Sequence, residues 1–164
     1  MSLIIETGTI VAGANSFTTD AEFVAYALAR GKTIPATEAE RDVLQILAVD
    51  YLTGREKQLQ GTRTDGTQEL IYPRENVYIR DVLLGSNSIP KELKNAQMEA
   101  GIAAASQSLT VNKVSENIEE TTVGPITKTF FNGGSWATVR LDTVNIYLRP
   151  LLSQAAVSGQ LIRV

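Results

Sequence analysis

Residues 37–54 read Thr37-Glu38-Ala39-Glu40-Arg41-Asp42-Val43-Leu44-Gln45-Ile46-Leu47-Ala48-Val49-Asp50-Tyr51-Leu52-Thr53-Gly54. The opening Thr37 to Glu40 fits a capping box, in which a threonine hydroxyl and a glutamate carboxylate satisfy opposing free amides of a helix start. Behind it, Val43, Leu44, Leu47, Ala48, Tyr51 and Leu52 form the stripe of an amphipathic helix, and Gly54 stops it. The spacing predicts a helix over about 38–53. Thr19-Asp20-Ala21-Glu22 repeats the start signal upstream and predicts a helix over about 20–30, with Phe23, Val24, Ala27 and Leu28 inward and Gly31 at its end. A short connection containing Pro35 should pack the two antiparallel.

Outward from this pair the signals weaken. Before it, Leu3 to Val11 reads as a short extended segment, and Ala12 to Ser16 as a loop. After it, Gly61 to Thr67 is polar loop, with Leu70-Ile71-Tyr72-Pro73-Arg74 a buried anchor beyond it. Pro90 suits a first helical turn. A third helix over about 90–107 would turn Leu93, Ala96, Ala100, Ala103 and Ala104 inward, a face small enough for close backbone approach. Over about 112–131 the period falls to 2 and the chain is rich in Thr and β-branched residues, predicting a hairpin around Gly124-Pro125. A last helix over about 142–152 carries Leu141, Val144, Leu148, Leu151 and Leu152, with Pro150 set to kink or end it. The expected fold is mainly α. A small bundle of about four helices over residues 1–152 carries a projecting β-hairpin, and residues 153–164 form an extended C-terminal arm.

Composition narrows the chemistry. The 164 residues suit one domain. No cysteine is present, which removes disulfides and thiolate nucleophiles. No histidine is present either, which removes the commonest general base and metal ligand. The carboxylates Asp20, Glu22, Glu38, Glu40 and Asp42 read as first-turn acids that complement helix dipoles. Strand alternation separates Glu119 from Glu116 and Glu120, which argues against a metal site there. No phosphate-binding glycine motif occurs. The expectation is therefore no enzyme, no catalytic residues, no metal and no cofactor.

Fifteen basic and eighteen acidic residues give a net charge of −3, which disfavours broad electrostatic capture of nucleic acid. One region departs from that balance. Arg55, Lys57, Arg63, Arg74 and Arg80 cluster in the irregular middle, with Tyr72 and Tyr78 among them. Arginine with aromatics can form a stacking platform for single strands. Glu56, Asp65, Glu69, Glu75 and Asp81 interleave, leaving no basic stripe, and a loop held by local ion pairs is the competing explanation.

Several motifs in order carry a resemblance. Leu47-Ala48-Val49-Asp50-Tyr51-Leu52, the run Gln68 to Val77 around Tyr72-Pro73-Arg74, Ile89-Pro90 through Ala100, Val123-Gly124-Pro125-Ile126 and Leu148-Arg149-Pro150-Leu151-Leu152 are similar to the head–tail adaptor (connector) proteins of tailed phages, whose relatives often bear the label DnaT-like ssDNA-binding protein. Tyr72 stands where those proteins usually have Trp. The resemblance covers about residues 3–152. It implies a structural virion protein at the neck, made in the bacterial cytoplasm. Its partners would be copies of itself in a ring, of dodecameric type, with the portal protein and tail or neck completion proteins. Genomic DNA would pass through the channel without sequence-specific binding, and no membrane would be involved. Interface residues on that view are Tyr72, Pro73 and Arg74 in the loop anchor, Ile118, Val123, Ile126 and Phe130 in the hairpin, and Leu161, Ile162 and Val164 in the arm. The alternative is a replication accessory protein that holds single-stranded DNA, using Arg63, Arg74 and Arg80.

Overall fold

The computed structural model describes residues 2–110, 120–123, 126–129 and 141–153. Among them lie four helices: α1 (Asp20–Ala29), α2 (Glu38–Thr53), α3 (Lys91–Ala104) and α4 (Asp142–Leu148). The protein is mainly α. A 3-10 turn over Arg149–Leu151 follows α4, because Pro150 cannot continue the α-helical hydrogen bonding. The chain divides into two compact units, Met1–Leu109 with Leu141–Val164, and Thr110–Arg140.

In the first unit α3 is the hub, packed mainly against α2 and α4 and also meeting α1. Gly101 contributes to this. A Cβ there would sit 3.2 Å from the Phe23 ring, tight enough that the ring would have to shift, and in ordinary contact with the Leu44 carbonyl at 3.7 Å. The core comprises Phe17, Phe23, Leu52, Ile71, Tyr72, Leu93, Leu148 and Leu151, all essentially solvent-free.

A polar seam crosses this core. The Gln97 amide on α3 accepts from the Phe17 N–H at 2.9 Å and donates to Ser16 Oγ at 2.7 Å. Thr18 Oγ1 donates to Gln45 Oε1 on α2 at 2.8 Å. The non-helical residues 16–18 are thus tied to two helices by fully buried side-chain amides, one of which gives the buried Phe17 N–H its partner. Glu6 plays a similar part upstream. Its carboxylate is 2% exposed and accepts from the amides of Gly8, Ile10 and Val11 at 2.7, 3.1 and 2.8 Å. These bonds hold Ile10 at φ 60, a conformation costly for a β-branched residue.

Helix faces differ from the expected stripes. Val43 and Leu47 on α2 are 47% exposed, while Asp42, Gln45 and Val49 are buried. The helix is rotated so that Gln45 meets Thr18 Oγ1, while Gln45 Nε2 and Asp42 Oδ1 are buried with no partner among the described residues. On α1, Phe23, Tyr26 and Ala27 are buried, and Leu28 is 79% exposed. Tyr26 turns inward because its hydroxyl donates to the buried Glu99 at 3.0 Å and its ring lies 3.4 Å beneath the Arg30 guanidinium. The Thr19–Glu22 capping box forms with both reciprocal bonds. At Thr37 it does not: the hydroxyl donates to the Glu40 carboxylate and no side chain caps α2. On α3 the buried set is Leu93 and Ala96 to Gly101, while Ala103 and Ala104 are only partly covered.

The second unit contains an antiparallel pair, residues 120–123 with 126–129, in register Glu120 opposite Thr129 and Val123 opposite Ile126.

Candidate functional site

The irregular middle folds into two miniature hairpins. The first pairs β1 (Thr62–Arg63) with β2 (Arg74–Glu75), and the second pairs β3 (Tyr78–Ile79) with β4 (Val82–Leu83). They use similar residues, two arginines and a tyrosine in the first and one of each in the second, in opposite ways.

In the first hairpin the cations are spent on the fold. Arg74 is 5% exposed. Its guanidinium donates to the carbonyls of Gln60 at 2.8 Å, Gly61 at 2.7 Å and Ile71 at 3.4 Å, and to Glu56 at 3.3 Å. Arg63 makes a two-pronged pair with Glu56 at 2.6 and 2.7 Å and donates to the Gln68 carbonyl. The hydrogen bonds from Arg63 hold the Glu56 carboxyl below its usual range; burial opposes this, and Arg74 adds to it. Tyr72, in the middle of the anchor, is fully buried and joined to Pro73 by a cis peptide bond. Its hydroxyl has no hydrogen-bond partner among the described residues, and burial pushes its pKa well above that of an ordinary phenol. Gly61, at φ 66, brings the chain so close to β2 that a Cβ would overlap the Glu75 carbonyl.

Tyr72, Pro73 and Arg74, expected as interface residues, are therefore interior ones. The Arg74 guanidinium is engaged with carbonyls and a carboxylate of its own chain. Among the remaining expected positions, Ile118, Phe130, Leu161, Ile162 and Val164 lie outside the described residues. Val123 and Ile126 are register partners in the antiparallel pair of the second unit. The expected cation cluster is also reduced. Arg55 donates to Asn145 Oδ1 and to the Tyr51 hydroxyl, with its guanidinium 4.9 Å from the Tyr51 ring. Lys57 and Arg80 remain exposed, with no ion pair or hydrogen bond among the described residues.

The second hairpin faces water. Tyr78 is 51% exposed and stands directly opposite Leu83, 56% exposed, so the two side chains share one face. Its two-residue turn places Arg80 at φ 52 and Asp81 at φ 64. This primed geometry matches strand twist; Asp81 tolerates it, and the longer Arg80 is the residue held there against preference. An open cleft of about 510 Å3 lies alongside, lined by Gln60, Gly61, Asn76, Tyr78, Arg80 and Asp81, with Ser153. Hydrogen bonds of Gln60 tie two parts of the lining to the rest of the unit. Gln60 accepts from the Tyr78 amide and donates to the Pro150 carbonyl, and the Gln60 amide donates to Leu151 O.

Sequence reasoning included Tyr78 and Arg80 but missed Leu83 and the hairpin itself. Arg80-Asp81 carries no glycine or asparagine to announce the turn. Among the described residues no group of three or more acidic, histidine or cysteine side chains could hold a metal ion, and no helix is long and apolar enough to cross a membrane.

The whole chain, residues 1–164, matches a family described as "Putative DnaT-like ssDNA binding protein". The chain belongs to this family. No curated protein and no solved structure gives a significant match. The match corrects the principal expectation from sequence. The DnaT-like description is that of a single-stranded-DNA binder, so the head–tail adaptor function and the virion, portal and neck roles attached to it are set aside. It agrees instead with the stated alternative.

Proposed function

We propose that this protein binds single-stranded DNA without catalysing a reaction. The observation that carries this reading is the exposed pairing of Tyr78 with an unpartnered Arg80 on one rigid hairpin beside an open cleft, in a chain whose family is described by single-stranded-DNA binding. An aromatic face stacks any unpaired base, and a neighbouring cation takes phosphate. A duplex hides its bases from such a surface. The lack of histidine and cysteine supports the non-catalytic part.

The net charge of −3 limits the electrostatic share. With Arg80 and Lys57 each meeting one phosphate, log affinity should fall with log salt at a slope near −1.4, about −0.7 per contact. The test is competition: a labelled oligothymidylate bound to the protein is challenged with unlabelled single strand or duplex of equal length. Displacement by single strand at far lower concentration than by duplex is expected. Equal displacement, or no complex at low salt, overturns the proposal.

A further inference from the structure

We infer that the β3–β4 hairpin is a subsite for one unpaired nucleotide, whose base stacks on the Tyr78–Leu83 face and whose phosphate meets Arg80. This rests on the single-stranded-DNA reading and specifies where and how one nucleotide is held.

Three observations converge on it. Tyr78 and Leu83 are cross-strand neighbours, so an aromatic ring and an aliphatic side chain together present a continuous apolar surface that the folded chain leaves half open to water. That surface suits a flat, weakly hydrated base. Next to it, Arg80 is exposed and bonded to nothing among the described residues, whereas Arg55, Arg63 and Arg74 are all tied to their own chain. Finally, Arg80 sits against local preference. It occupies the left-handed region at φ 52, where glycine or asparagine would sit without strain, beside Asp81, which tolerates that region. Strain that the surroundings hold in place commonly marks a functional position.

The cleft supplies the rest of the contact. Asn76, exposed and also at positive φ (59), offers an amide that can pair with a base edge. Asp81 works in the other direction. Its carboxylate lines the same cleft as Arg80 and repels a phosphate, so the subsite favours a single well-placed backbone group over a dense run of charge. Rigidity comes from below, since the Tyr78 amide is bonded to Gln60 and the Leu84 amide to the Val77 carbonyl at 2.8 Å. The platform is preorganised, and little order need be gained on binding.

The decisive variants are Tyr78→Ala, Tyr78→Phe, Arg80→Gly and Asp81→Asn, each titrated against a roughly twelve-nucleotide oligothymidylate carrying a terminal fluorophore. Thermal melting of the free proteins runs alongside. Arg80→Gly is the informative change, because glycine relieves the turn and misfolding cannot account for lost affinity. Tyr78→Ala and Arg80→Gly should each weaken binding about tenfold, Tyr78→Phe should retain it, and Asp81→Asn should tighten it. Wild-type binding that Tyr78→Ala and Arg80→Gly leave unchanged overturns the subsite while sparing the single-stranded-DNA reading. A wild type that binds no oligonucleotide at low salt overturns both.

Discussion

The two hairpins between α2 and α3 contain the same kinds of residue and put them to opposite uses. In β1–β2 the arginines are buried or half-buried and hold carbonyls and a carboxylate of their own chain. In β3–β4 the arginine and tyrosine face solvent, and the turn that carries them is strained. The difference lies in position. The first hairpin follows α2 and closes over the Leu70–Tyr72 anchor, so its polar groups must be satisfied internally. The second follows the Gln60–Val77 frame, and Tyr78, Arg80, Asp81, Val82 and Leu83 are exposed there. A basic cluster in a sequence therefore says little about binding until one knows which of its members are already engaged.

The largest expected effect tests that division directly. Arg74→Ala should cost about 3 kcal/mol in urea unfolding, because three carbonyls lose their donor inside the protein. Arg80→Ala should move stability by no more than about 0.5 kcal/mol, as an unengaged surface residue does. Comparable losses for the two would erase the contrast.

The next effect is pH dependence. Arg63, with Arg74, keeps the Glu56 carboxyl below its ordinary value of 4.5 against the opposing effect of burial. A lowered folded-state pKa adds stability that is fully present above the unfolded value and is lost as pH falls through the folded one. The stability difference between wild type and Glu56→Gln should therefore shrink on acidification below about pH 4.5. A difference that stays constant down to about pH 3 would show that the Arg63–Glu56 pair contributes nothing through its charge.

The smallest effect concerns Tyr72. Its buried hydroxyl has no partner among the described residues, so Tyr72→Phe removes a desolvated polar group and keeps the ring. Stability should hold or rise by up to about 1 kcal/mol, measured by thermal melting. A clear loss would mean that the hydroxyl is bonded.

Much of the helical architecture was legible. Capping at Thr19, the periodicity of residues 38–53 and the Pro150 stop are local signals that the chain obeys locally. Helix rotation was not legible. Whether Val43 or Gln45 faces inward depends on Thr18, 27 residues away, and Tyr26 turns toward Glu99, 73 residues away. The Glu6 loop was hidden for a related reason: one carboxylate there replaces the regular backbone pairing that sequence patterns report. At the site, Tyr78 and Arg80 stood out by type. Arg63 and Arg74 looked the same in sequence, and only their partners set them apart. The family resemblance located the right group of relatives but attached the wrong function to it.

The most direct measurement is fluorescence anisotropy of a labelled oligothymidylate titrated with wild-type protein and Arg80→Gly at about 50 and 200 mM salt. Wild-type affinity should fall about sevenfold across that range, and Arg80→Gly should bind more weakly with a slope reduced by about 0.7. Wild-type and variant curves that coincide at both salt concentrations would contradict a DNA contact at this hairpin.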